Sequence, residues 1–115
     1  MDKLHTIKKS YEFSNIIHSC SYIKTKSLII YYNKDNGLDY YRFGISVSKK
    51  LGNAVHRNKY KRQMRYIIDK YKKYYQNGYD YIIILKNGYV DLDFESKEND
   101  FVYSIKKINS MVKEN

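Results

Sequence analysis

The sequence predicts a two-layer α/β sandwich of the α+β kind: a small mixed sheet of three to four strands with a long basic crossover helix. Three observations lead there. "YRFGISVS" (41–48) alternates apolar and polar residues, "YDYIIILK" (79–86) is apolar almost throughout, and a stretch of helical period lies between them. Alternation marks a strand covered on one face, and a continuous apolar run marks a strand covered on both. Strand, helix and strand in that order read as a crossover unit. The expected order is α-β-β-(β)-α-β-α, within one domain spanning 1–115.

Each element has its own justification. In "SYEFSNIIHS" the residues Phe13, Ile16 and Ile17 recur at i, i+3 and i+4. With Ser10 as N-cap and Glu12 in the first turn, this predicts a helix over about 10–18. "SLIIYY" (27–32) is β-branched and aromatic and runs into the turn-forming "NKDNG", so it reads as a strand, with room for a short extra one near 21–25. The 41–48 strand follows, paired antiparallel with it across a hairpin. Tyr41, Phe43, Ile45 and Val47 fall on one face and Arg42, Gly44, Ser46 and Ser48 on the other. Gly52 and Asn53 end that strand, and Asn53 is the expected N-cap of a helix running to about Tyr74 or Tyr75 and stopping before Gly78. After the 79–86 strand and the polar "NGYVDLDFESKEND", Phe101, Ile105, Ile108 and Val112 mark a terminal amphipathic helix, with Lys106, Lys107 and Lys113 late in it as the helix dipole prefers.

Charge is what singles out the long helix. The chain of 115 residues carries a net charge of +10. Residues 49–73 hold ten Lys or Arg against one acid, Asp69, whereas the other ninety residues hold twelve against eleven. A chain rich in Lys, Ile, Asn and Tyr suggests compositional drift, but drift spreads charge evenly and this charge is clustered. At about 100° per residue, Tyr60, Met64, Ile67, Ile68, Tyr71 and Tyr75 form a stripe for the core. Asn58, Lys61, Arg62 and Arg65 fall on another seam, with Arg57 at the border. A solvated face usually intersperses acids, and none occurs from 49 to 68. Like charges at i, i+3 and i+4 repel, and a polyanion turns that repulsion into attraction. Nucleic acid fits better than a membrane surface, because the far side of a membrane-lying helix must enter lipid and here the core needs it.

Other classes fall away. Cys20 is the only cysteine, so an intrachain disulfide and a Cys-rich zinc site are excluded, and a reducing cytosol fits. "MDKLHTIKKSYEF" lacks the apolar run of a signal peptide, and no stretch approaches the ~18 apolar residues of a membrane span. The expected setting is the cytoplasm, with no membrane partner and a monomer in the free state. His5, His18 and His56 lie on separate elements, and Asp91, Asp93 and Glu95 read as a solvated loop rather than a metal site. No self-sufficient set of acid, base or metal-binding groups is evident.

"FGISVSKKLGNAVHRNKYKRQMR" closely resembles the signature block of the bacterial ribonuclease P protein subunit. The likeness is carried without a gap by Ser48, Lys49, Lys50, Gly52, Asn53, Ala54, Val55, Arg57, Asn58, Lys61, Arg62 and Arg65. Lys9 with Phe13, the strand ending at Tyr31, and "DYIIIL" agree as well. The resemblance implies a ribonucleoprotein endoribonuclease that removes the 5′ leader of precursor tRNA, its RNA subunit carrying the hydrolysis with Mg²⁺. It also implies a left-handed crossover at the basic helix, against the general right-handed rule. Carried over by position, Lys49, Lys50, Asn53, Arg57, Asn58, Lys61, Arg62 and Arg65 would bind the RNA subunit. Phe13, Ile17, Tyr31, Arg42, Ser46 and Ser48 would line a cleft for the leader. The pattern is broken at Lys59, where Arg is usual, at Ile17, where an aromatic is usual, and at Cys20, where Gly is common. The alternative reading of the same basic sandwich is a ribosomal or RNA-chaperone module with no part in nuclease action.

Overall fold

The computed structural model describes residues 6–7, 10–19 and 21–113. His5, Lys9 and Cys20 lie outside the described residues, as do the side chains of Ser10, His18, Val112 and Lys113. The elements are α1 (Ser10–Ser19), β1 (Ser21–Lys24), β2 (Leu28–Asn33), β3 (Arg42–Val47), a 3₁₀ turn (Lys49–Leu51), α2 (Ala54–Lys70), a second 3₁₀ turn (Lys72–Tyr74), β4 (Asp80–Leu85), α3 (Asn87–Asp91) and α4 (Phe94–Lys113). The sheet runs β1-β2-β4-β3, with β3 parallel to β4 and the other pairs antiparallel.

The β4 sequence explains this order. "DYIIIL" is apolar on both faces, so it is stable only between two neighbours and under cover on each side. Phe43, Ile45 and Val47 of β3, Leu28, Ile30 and Tyr32 of β2, and Tyr81, Ile83 and Leu85 of β4 join one core with Tyr60, Met64, Ile67 and Ile68 of α2 and Phe101, Ile105 and Ile108 of α4. On the other face Ile82 packs with Ile7 and Ile16, so α1 covers part of that side. Six tyrosines, Tyr32, Tyr60, Tyr75, Tyr79, Tyr81 and Tyr89, are buried. Phe43 stacks on Tyr81 at 4.8 Å between centroids and meets Tyr75 edge-on at 4.7 Å. These rings are core rather than drift, and burial pushes the Tyr81 phenol up to about 12.

Four expectations are corrected. β2 and β3 do not form a hairpin: β4 lies between them, because the alternating β3 tolerates an edge and the doubly apolar β4 does not. The 34–41 connection reaches across that gap. Asn36 donates its backbone N–H to Gly78 O at 2.8 Å and its Nδ2 to Asp80 Oδ1 at 2.9 Å, tying the loop to the start of β4. Second, α2 ends at Lys70, with Tyr71 as C-cap, and the chain tightens into 3₁₀. Tyr75 thereby turns back into the core, its hydroxyl donating to Ile68 O at 2.7 Å. Third, the polar segment after β4 is helical. Asp93 Oδ1 accepts from Ser96 N at 2.8 Å and so caps α4, which therefore begins seven residues before Phe101. Fourth, α1 begins at Ser10 itself, so that residue occupies the first helical position.

Candidate nucleic-acid interface

The basic surface is assembled by a strand end, a turn and a helix start. Ser48 Oγ accepts from Lys50 N at 3.2 Å and opens the 3₁₀ turn, Leu51 is buried and anchors it, and Lys49 and Lys50 stay exposed. Gly52 then adopts φ +140, and a Cβ there would sit 3.0 Å from His56 Cβ, so the reversal needs glycine. Asn53 caps α2 as expected, its Oδ1 accepting from His56 N at 3.1 Å. Once this corner is set, Tyr60, Met64, Ile67 and Ile68 face inward. Asn58, Arg62 and Arg65 are exposed and Arg57 and Lys61 half-buried.

The charge on α2 is divided along its length. Near the C-terminal end Lys70 pairs with Glu98 at 2.7 Å and Asp69 with Lys72 at 2.9 Å; Glu98 also accepts a short hydrogen bond from the Tyr71 hydroxyl. The Lys70 and Tyr71 contacts hold the Glu98 carboxyl below its usual range. Among the described residues Arg57, Lys61, Arg62 and Arg65 form no ion pair, and Arg57 Nε is buried without an acceptor. The first two-thirds of the helix is a bare cationic ridge. Beneath it lies a cation that the sequence did not reveal. Lys97 of α4 is 6 % exposed, with Nζ 4.4 Å from the Tyr89 ring centroid, 5.6 Å from that of Tyr60 and 3.3 Å from Gln63 Oε1. Burial, then the field of Lys59, draws its pKa down. No spacing rule marks a lone helical lysine as buried, so only the fold shows it.

The second set of residues lies on the opposite face of the sheet. Side chains alternate along each strand, so the register places Arg42, Gly44 and Ser46 of β3 with Asp80, Ile82 and Ile84 of β4 and Ile29, Tyr31 and Asn33 of β2 on the α1 side. Phe13 of α1 lies over Gly44, where an added Cβ would stand 2.5 Å from the ring's Cζ. That close approach is what a glycine inside an alternating strand signals. Ile17 and Tyr31 pack beside Ile82, and the row Ile29–Ile84–Ser46 is left half-exposed as a groove floor.

Arg42, expected as polar lining of this groove, stands on the same sheet face and is ion-paired there. Its Nε and Nη2 donate to Asp80 at 2.9 and 2.7 Å, and its Nη1 lies 2.8 Å from Glu12. With two carboxylates around one guanidinium, Arg42 ties α1 to β4. Asp80 raises its pKa most.

The two sets meet at the outer edge of β3. Ile7 N donates to Phe43 O at 2.9 Å, so the N-terminal segment pairs along that edge. A cavity of about 80 Å³ there is lined by Thr6, Ile7, Phe13, Phe43, Ile45, Lys61 and Arg65. Phe13 of the groove and Lys61 and Arg65 of the ridge thus share one wall. Among the described residues no three His, Cys, Asp or Glu side chains converge as metal ligands, and no helix is long and apolar enough to cross a membrane.

A family model described as Ribonuclease P matches residues 1–109. The chain is similar to the ribonuclease P protein component of Mesoplasma florum, 43% identical over 95 residues, covering 82% of this chain and 86% of that one. It is similar also to that of Mycoplasma mycoides, 39% identical over 109 residues, covering 94% and 99%. The solved structure of the Staphylococcus aureus RNase P protein superposes with TM-score 0.83 at 32% identity, covering 92% of this chain and 96% of that one. The Thermotoga maritima RNase P protein gives 0.80 at 25%, covering 90% and 96%. A match across nearly the whole chain places this protein in the ribonuclease P protein component family.

Proposed function

We propose that the chain is the protein subunit of ribonuclease P, an endoribonuclease that works as a ribonucleoprotein, and that its two surfaces hold two different RNAs. The α2 ridge and the turn before it, from Lys49 and Lys50 through Asn53, Arg57, Asn58, Lys61, Arg62 and Arg65, grip the RNA subunit. The groove of Phe13, Ile17, Tyr31, Ser46 and Ser48 takes the single-stranded 5′ leader of precursor tRNA, and removal of the leader yields the mature 5′ end. Arg42 holds the groove's wall in place.

One observation carries this reading: Arg57, Lys61, Arg62 and Arg65, none of them ion-paired among the described residues, lie away from the α2 side that Tyr60, Met64, Ile67 and Ile68 commit to the core. Guanidinium groups at that spacing bind phosphate oxygens bidentately, and each contact releases counterions. The backbone N–H groups at the start of α2 add donors for an anion. Mg²⁺ belongs to the RNA subunit in this reading. The protein's part is to bind and position, in the cytoplasm, where precursor tRNA is processed.

Reconstitution tests it. Protein alone, with Mg²⁺ and precursor tRNA, is expected to leave the substrate intact, and addition of the cognate RNA subunit is expected to give cleavage at the mature 5′ end. Cleavage by the protein alone overturns the reading. Tight binding to ribosomal RNA with no rescue of the RNA subunit would assign the ridge to a ribosomal or chaperone role instead.

A further inference from the structure

Edge strand β1 carries an aromatic ring that the core does not use. Tyr22 is 55 % exposed. It stands opposite Tyr31 in the β1–β2 register, with ring centroids 5.4 Å apart at an interplanar angle of 46°. Directly opposed residues share a face, so Tyr22 lies on the α1 side and continues the row Gly44–Ile82–Tyr31 to the margin of the sheet. Lys24, two residues on, is exposed on the same face beyond the half-exposed row Ser46–Ile84–Ile29. From Phe13 to Lys34 the chain contains no acid, while Lys24, Lys26 and Lys34 are cationic.

We infer that Tyr22 and Tyr31 form a two-ring stacking step that extends the leader groove from the centre of the sheet onto edge strand β1, with Lys24 beside it for the backbone. This rests on the leader-binding reading above. An exposed ring packed on a half-buried one, with Lys24 on the same face and the nearby carboxylates Asp80 and Glu12 engaged by Arg42, suits a single strand whose bases are free to stack. It suits a duplex poorly, because its bases are already stacked on one another. Ile17 brings no ring to the α1 wall and Phe13 lies at the far end over Gly44, so the strand side supplies the stacking surface near Tyr31. Phe13 lines the cavity it shares with Lys61 and Arg65 of the ridge, and Tyr22 stands at the opposite margin of the sheet. A leader entering from the ridge side therefore meets the step last, and the contribution of the step appears only once the leader is long enough to reach β1.

The test uses the reconstituted holoenzyme with precursor tRNAs whose leaders are lengthened one nucleotide at a time. In the unmodified complex, affinity should climb in two steps. Tyr22→Ala should remove the later step alone, about tenfold in affinity, with assembly on the RNA subunit retained, and Tyr22→Phe should restore it. Tyr31→Ala should remove both steps. A Tyr22→Ala variant that only lowers Tm and keeps both steps makes the ring pair a structural cross-strand contact and overturns the inference. If Tyr31→Ala and Phe13→Ala also leave every leader length unaffected, the leader-binding reading itself fails, and the inference with it.

Discussion

Replacing Arg62 by Ala should weaken RNA binding and steady the fold at once, and the opposite signs make this the sharpest test of the ridge. Arg62 is exposed and forms no ion pair among the described residues, and Lys59 and Arg65 stand one turn away at i−3 and i+3. Relief of two like-charge pairs is worth about 0.2–0.5 kcal/mol each, so Tm should hold or rise by a few degrees. RNA binding moves the other way. If Arg57, Lys61, Arg62 and Arg65 each neutralise a phosphate, the slope of log K against log salt is roughly −3 to −3.5, at about 0.7–0.9 per contact. Between 50 and 200 mM salt that is a loss of roughly 80-fold in affinity. Removing one contact brings the loss to roughly 30-fold and lowers affinity about tenfold at low salt. Filter binding to the RNA subunit over a salt series, with thermal melts of the same samples, reads both. An unchanged slope would show that Arg62 faces no phosphate. A Tm drop of several degrees would show that it packs rather than projects.

Three further outcomes follow from particular contacts. Asp80→Asn leaves the Arg42 guanidinium, 18 % exposed, with Glu12 as its one remaining carboxylate; breaking so buried a pair should cost about 3 kcal/mol and roughly 10 °C in Tm, measured by calorimetry. Glu98 has a carboxyl held below its ordinary value near 4.5 by Lys70 and Tyr71. Its stabilisation is therefore present above that value and is lost as pH falls through the lowered one, so Glu98→Gln should cut Tm by a few degrees at pH 7 and make progressively less difference in more acid solution. Gly44→Ala brings a methyl to 2.5 Å from the Phe13 ring tip, and the ring must swing off the sheet. About 1–2 kcal/mol of stability and the leader-dependent part of affinity should fall together, and adding Phe13→Leu should return the stability but not the affinity.

Much of the fold was legible because each element carried its own period. The continuous apolar run of β4, the alternation of β3, Asn53 at the start of α2 and the terminal apolar stripe each describe a local environment, and local environments are written in consecutive residues. The ridge was legible for the same reason: the helical period separates Arg62 and Arg65 from Met64 and Ile68 without any knowledge of what lies opposite. What failed was pairing. A hairpin between β2 and β3 was the economical expectation, and nothing in residues 28–47 says that the strand beginning at Asp80 will come between them. The end of α2 failed likewise, because it is set by Tyr75 reaching Ile68 rather than by a breaker in the helix.

By itself, then, the sequence determined most of the helices and strands but not α3, the start of α4 or the end of α2, together with the face of each that seeks the core and the basic seam of the long helix. Tertiary structure alone decided that Arg42 is spent between Asp80 and Glu12, that Lys97 lies buried under the ridge, and that Phe13 shares a cavity wall with Lys61 and Arg65. The physical reason is range. Periodicity and capping act over one or two turns of chain, whereas ion pairing, burial and the meeting of two surfaces depend on residues far apart in sequence that only the packed sheet brings within a few ångströms.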